Sequence, residues 1–192
     1  MPAPAILRHV EPELHTDRLV LRCPREGDGE LVQAAVVESL DQLRAWPASV
    51  PWAMGEPSVA ASEIFCRESL AAFTRRSALT YFAFDRTGAF VASTDLHGID
   101  WAIPKFEVGY WCRSSRQRQG LTGEAIAALV RYAFDSLGAW RVGVRTDEAN
   151  VASRRLCETV GLQLEGILRN DRITPAGVLC NTCVYARVRD EG

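Results

Sequence analysis

The chain has 192 residues, 47% of them hydrophobic and 24% charged, with a formal net charge of −2. That length corresponds to one domain with a core large enough to need no disulfide staples. Near-neutral charge argues against a protein that grips nucleic acid directly by neutralising many phosphates. No run approaches the apolar length of a membrane span, and residues 1–9 carry no apolar signal-peptide core. The expected location is therefore the cytoplasm, with reduced thiols.

Arg18–Arg22 (RLVLR) reads as a first strand, followed by a turn cluster at Pro24–Gly29. A helical stretch is expected over Glu30–Ser39, with Leu31, Ala34, Ala35 and Glu38 in loose helical spacing. Trp46–Trp52 is a proline-punctuated loop holding two tryptophans. A second helix, Ser58–Arg75, is expected to turn Ile64, Phe65, Leu70 and Phe73 toward the core. Strands at Leu79–Phe84 and Phe90–His97 flank a hairpin turn at Asp85–Gly88. Phe106–Cys112 is apolar enough to lie mid-sheet.

A basic, glycine-containing loop, Arg113–Gly123, then leads into the clearest helix of the chain. Ile126, Leu129, Val130, Ala133, Phe134 and Leu137 make one apolar stripe, and Gly138 closes it. Trp140–Arg145 alternates as a half-buried strand. Asn150 can cap a helix over Val151–Val160 that ends at Gly161. Leu162–Leu168 and Val178–Val188 read as a final antiparallel pair. This order predicts a single α/β (α+β) domain over 1–192, with its core at about 16–188. Its mixed central sheet has about six to seven strands, flanked by helices on both faces.

Among six cysteines, Cys180 and Cys183 are the one pair with metal or redox spacing. They have no second pair and no nearby histidine, and they face opposite sides of a strand. No metal site is expected.

The informative segment is the loop before the long helix. The first turn of a helix leaves four N–H groups unpaired and carries partial positive charge. Gly120 and Gly123 would let an anion approach those amides, and Arg113, Arg116 and Arg118 would add charge. A pyrophosphate site is one reading; a tight turn with solvated arginines is the other. There is no G-x-x-x-x-G-K-[ST] and no G-x-G-x-x-G after an early strand.

Gln117-Arg118-Gln119-Gly120-Leu121-Thr122 resembles the acetyl-CoA signature Q/R-x-x-G-x-G/A of the GNAT superfamily of N-acetyltransferases, departing from it at Thr122. The continuation Gly123-Glu124-Ala125 is similar to its T-E-A. Glu107-Val108-Gly109-Tyr110-Trp111, Asn150-Val151-Ala152-Ser153, Glu158–Leu162 and Glu165–Arg169 resemble motifs of the branch that acetylates ribosomal-protein N-termini. The Trp46–Trp52 loop is similar to that branch too. The match runs in order from about Arg18 to Val188.

The resemblance implies a GNAT-like domain that transfers acetyl from acetyl-CoA directly to a primary amine within a ternary complex, releasing coenzyme A. Tyr110, Trp111 and Cys112 would pair with pantetheine through their backbone, and Gln117 and Arg118–Gly123 would hold the pyrophosphate. Thr122 would narrow the approach or offer a hydroxyl. Ser153 would serve the departing thiolate, with Asn150 orienting pantetheine or Ser153; both residues could instead only form a helix cap. Glu107 would act as base through water, or make a structural ion pair. Asp171 lies where relatives place an acidic group near the acceptor. His97, a lone histidine at a strand end, receives no role. The acceptor is a peptide or protein N-terminus or a small amine; no membrane partner is expected, and a homodimer is left open. The contrasting reading is a catalytically degenerate acyl-CoA-binding regulatory module.

Overall fold

The computed structural model describes residues 4–189. Eight strands form one sheet: β1 Glu13–His15, β2 Leu19–Arg22, β3 Leu79–Asp85, β4 Phe90–Asp100, β5 Lys105–Cys112, β6 Arg141–Asp147, β7 Gln163–Ile173 and β8 Leu179–Val188. Their order is β1-β2-β3-β4-β5-β6-β8-β7. Every neighbouring pair is antiparallel except β5 and β6, which run parallel. All seven expected strands are present, with β5 in the middle as its apolar run predicts. The additional one is β1, whose three residues are too few to show an alternation.

Four helices cover the sheet: α1 Gly29–Arg44, α2 Val59–Arg75, α3 Leu121–Asp135 and α4 Val151–Thr159. The alternation along β3 shows how they divide. Tyr81 and Ala83 join the cluster built on Ile126, Leu129 and Val130 of α3, which also takes in Cys157 of α4. Phe82 and Phe84 join the opposite cluster, with Val32, Ala35, Val36 and Leu43 of α1 and Cys66 of α2. The stripe residues Ile126, Leu129, Val130, Ala133 and Phe134 of α3 are all buried, as their spacing requires, and so is Leu137, two residues past the end of the helix.

Two helix faces differ from expectation. α2 buries Ser62, Cys66, Ser69 and Phe73, whereas Ile64, Phe65 and Leu70 are exposed. Small residues on the inner stripe let α2 pack closely against its neighbours, so the large side chains are turned outward. Of the expected α1 positions Leu31, Ala34, Ala35 and Glu38 only Ala35 is buried; the helix instead buries Val32, Val36, Ser39 and Leu43 beside it, and it continues to Arg44. α3 begins at Leu121, inside the segment expected as loop.

Residues 1–3 and 190–192 of the expected domain lie outside the described residues. No helix among the described residues is long and apolar enough to cross a membrane. The six cysteines form no disulfide; Cys183 is buried in β8 and Cys180 half-exposed.

Candidate active site

β5 and β6 pair only from Lys105↔Arg141 to Glu107↔Gly143. Beyond Glu107 the two strands part, and the edge of β5 from Val108 to Cys112 has no strand beside it on the β6 side. Parallel strands that separate inside a sheet leave backbone groups needing partners. Into this fork opens a cleft of about 1550 Å³ that reaches from the α1–α2 side to the first turns of α3 and α4.

At one end the cleft meets α3. Gly120 stands at φ +74°, the left-handed region that glycine enters without strain, and the helix starts directly after it with no side-chain cap. Its first intrahelical bond runs from Glu124 N–H to Gly120 C=O at 3.1 Å, so the amides before Glu124 stay open. This is the geometry of an anion site. Gln117, Arg118, Gly120, Thr122 and Gly123 line it, but Leu121 turns its side chain into the core. A Cβ at Gly123 would come 3.3 Å from Leu156 Cδ1, so that glycine also serves the contact between α3 and α4.

The arginines divide differently from the sequence reading. Arg113 is paired with Glu38 of α1 at 2.6 Å and Arg116 with Asp85 at 3.1 Å, so neither is a free charge for an anion. Arg118 remains, held at φ 59°. A further arginine that the sequence does not flag stands beside the loop, itself paired with a carboxylate. Arg18, 101 residues before Gln119, donates to its carbonyl at 3.1 Å and to Glu124 Oε2 at 2.6 Å. Its guanidinium lies 3.5 Å from where a Gly120 Cβ would stand. Glu124 also accepts from the Thr16 hydroxyl at 2.6 Å and the Arg18 N–H at 2.9 Å, and these bonds hold its carboxyl below the usual range against burial, which raises it. The acidic residue of the T-E-A-like run thus clamps the entry of β2 onto α3. Long-range pairing of this kind leaves no local pattern.

The loop itself is tied to α1. Glu38 accepts from the Ser115 N–H at 2.8 Å as well as from Arg113, and these contacts with Ser115 and Arg113 draw its carboxyl down to about 2. Ser39 accepts from the Ser114 N–H at 3.0 Å, and the Gln117 amide bonds Gln42. Gln119 folds back onto the Ser115 carbonyl at 3.0 Å.

Along the fork, successive β5 side chains alternate between faces. Tyr110 points to the α4 side, where its hydroxyl lies 2.7 Å from Ser153 Oγ and 3.7 Å from Cys157 Sγ. Burial, then the neighbouring Cys157, pushes the phenol well above its usual range, so it remains a neutral O–H donor. Asn150 caps α4 by accepting the Ser153 backbone N–H at 3.1 Å, which leaves the Ser153 hydroxyl for Tyr110. Cys112 turns toward Thr122, and burial raises its thiol pKa.

Trp111 points to the opposite face. Its ring packs against Phe90 at 5.5 Å and Trp52 at 6.1 Å, which draws the Trp46–Trp52 loop to the cleft. On the same face stand Glu107, Gly109, Asp95 and His97, with Asp95 opposite Gly109 and His97 opposite Glu107 in the β4–β5 register. Asp171 is not free there: Arg145 binds it at 2.7 Å, and bonds from Thr182 and Arg145 hold its carboxyl low. Glu165, in the E-G-x-x-R-like stretch, is a strap between strands, paired with Arg141 of β6.

The forked sheet thus encloses a cleft with an open helix N-terminus at one end, a place suited to an anionic ligand. The acetyltransferase (GNAT) domain family matches residues 18–163, and the chain belongs to that family: it is an N-acetyltransferase whose acetyl donor is acetyl-CoA. Among individual relatives, the uncharacterised N-acetyltransferase YoaA of Bacillus subtilis strain 168 is 27% identical over 179 residues, 93% of this chain and 97% of that one. Many solved structures share the fold, among them two bound to the coenzyme. The microcin C7 self-immunity acetyltransferase MccE, in complex with acetyl-CoA and AMP, superposes with a TM-score of 0.84 at 22% identity over 91% of this chain and 94% of its own. The ribosomal L7/L12 alpha-N-protein acetyltransferase RimL, in complex with coenzyme A, does so with a TM-score of 0.83 at 19% identity, over 91% and 96%.

Proposed function

We propose that this chain transfers an acetyl group from acetyl-CoA directly to a primary amine, with both held in one ternary complex. The observation that carries this is the fork after Glu107↔Gly143, with hydroxyls on one face of the sheet and acid–base groups on the other.

Each residue then has a task. Open amides of Gly120–Gly123, with Arg118, hold the pyrophosphate, and Arg18 with Glu124 braces the loop that carries them. The free backbone edge of Tyr110, Trp111 and Cys112 pairs with the pantetheine arm. Tyr110 and Ser153 share one proton donor beside the thiol that departs. The Glu107 side of the cleft, with Trp52 and Trp111 as apolar walls, receives the amine and removes its proton. Holding two reactants in one geometry supplies up to about 7–11 kcal/mol of the barrier, and a positioned acid or base about 10²–10⁴-fold.

The likeness in fold to RimL, a ribosomal L7/L12 alpha-N-protein acetyltransferase, favours a peptide N-terminus as the amine, with a small primary amine as the alternative. The test is a panel of free-N-terminus peptides and small primary amines, with acetyl-CoA and a thiol readout, alongside calorimetry with coenzyme A. Thiol release that depends on an added amine supports the proposal. Tight binding with no amine-dependent release across the panel would instead indicate a binding module.

A further inference from the structure

We infer that His97 is the group that takes the proton from the acceptor ammonium, with Asp95 as its positioning residue. This rests on the acetyltransferase reading and adds to it the atom that receives the proton. His97 Nδ1 lies 2.9 Å from Asp95 Oδ1, and the same oxygen accepts the Gly109 N–H at 2.9 Å. An ionised carboxylate only accepts, so Nδ1 carries the hydrogen and the neutral ring keeps its lone pair on Nε2.

Nε2 lies 3.7 Å from Glu107 Oε2. The separation is too long for a hydrogen bond, yet short enough for one ammonium nitrogen to donate to both atoms at about 2.9 Å. His97, Asp95 and Glu107 all line the cleft. His97 is opposite Glu107, and Glu107 is the last β5 residue paired with β6. The lone pair therefore stands where the strands begin to part, on the face opposite Tyr110 and Ser153.

Gly109 shows that this arrangement is built. A Cβ there would lie 2.5 Å from Asp95 Oδ1 and 3.3 Å from His97 Cε1. Glycine weakens a strand interior, and its presence marks a close approach. Here it lets the Asp95 carboxylate lie over β5, within reach of both the strand amide and the imidazole.

The charged groups acting on the ring are Asp95 from its own strand and Glu107 from β5. The bond to Asp95 raises the imidazole pKa most, partial burial opposes it, and the charges of both carboxylates add to the rise. In the reaction one ammonium proton passes to Nε2, which frees the nitrogen lone pair. The C–N bond forms at the thioester carbonyl and the C–S bond breaks. The attached nitrogen sheds a second proton, matched by the one that the thiolate gains beside Tyr110 and Ser153. The imidazolium returns its proton to water.

The test is kcat/KM against pH for the wild type, His97→Gln, Asp95→Asn and Glu107→Gln, using the best amine of the panel above, with nitrogen NMR of the histidine ring. Wild-type kcat/KM should rise with pH through an apparent pKa above the ordinary imidazole value. His97→Gln should lose that limb and about 10²–10⁴-fold in kcat, with coenzyme A affinity unchanged. Asp95→Asn should move the limb to lower pH. NMR should show the Nδ1–H tautomer titrating with the same limb. A His97→Gln enzyme with wild-type kcat and limb, or a limb abolished only by Glu107→Gln, or an Nε2–H tautomer, would overturn the inference. A wild type that transfers acetyl to no amine would fail the underlying reading instead.

Discussion

The hydroxyls of Tyr110 and Ser153 meet at 2.7 Å although 43 residues separate them, one on a central strand and the other in the first turn of α4. The contact joins β5, where the sheet forks, to the helix that faces the fork. It also separates two roles that Ser153 could have. The cap of α4 uses its backbone N–H, so the side chain is not needed to start the helix.

Ser153→Ala should accordingly lower kcat by about ten- to a thousandfold, with coenzyme A affinity and melting temperature close to wild type. Tyr110→Phe should reproduce the kcat loss in part. Steady-state kinetics and a thermal melt on one preparation check both. An alanine variant with full kcat would remove Ser153 from the proton path.

Asn150→Ala should act in the opposite order. It removes the oxygen that accepts the Ser153 N–H, and loss of such a cap costs about 0.5–2 kcal/mol. Chemical denaturation should show that loss directly. Activity per folded molecule should fall only to the extent that the first turn of α4 shifts Ser153.

Gly120 and Arg18 test the anion site from two sides. Gly120→Val places a branched side chain where the open amides face the cleft, and at φ +74° it also costs roughly 1–2 kcal/mol in stability. Coenzyme A affinity should drop sharply in calorimetry. Arg18→Ala carries no backbone strain; it removes the bonds to Glu124 and the Gln119 carbonyl that brace the loop, and should weaken coenzyme A about tenfold, the scale of one charge-assisted hydrogen bond. Unchanged affinity in both folded variants would place the pyrophosphate elsewhere.

Glu38 makes the loop's attachment to α1 depend on pH. Its carboxyl is drawn from the ordinary value near 4.5 to about 2 by Ser115 and Arg113. A lowered native pKa stabilises the fold above the unfolded value, and that contribution is lost as pH falls from about 4.5 toward 2. Glu38→Gln should flatten stability against pH in that window and should weaken coenzyme A at neutral pH. Denaturation at a series of pH values measures the first effect and calorimetry the second.

Much of this protein could be read from its chain alone, because the responsible signals are local. The α3 stripe, the strand that becomes β5, the Asn150 cap and the glycine that opens the loop are set by periodicity and by one- to four-residue geometry. The cleft-lining residues of the G-Y-W and N-x-x-S motifs follow from that, and so does the uncapped start of α3. The buried faces of α1 and α2 were less legible. Small residues such as Ser62 and Ser69 carry little hydrophobic signal, yet close helix packing selects them for the inside.

Only the tertiary structure decided which charges are free. Arg113 and Arg116 resemble Arg118 in sequence, but Glu38 and Asp85 neutralise the first two, and Arg18 arrives from far away already paired with Glu124. The same holds for Asp171, bound by Arg145, and for His97, a solitary histidine until the β4–β5 register sets it between Asp95 and Glu107. A side chain's identity is written in the sequence. Its charge partner is another chain segment, brought within a few ångströms by the sheet, and electrostatic interactions at that range depend on distance and burial rather than on spacing along the chain.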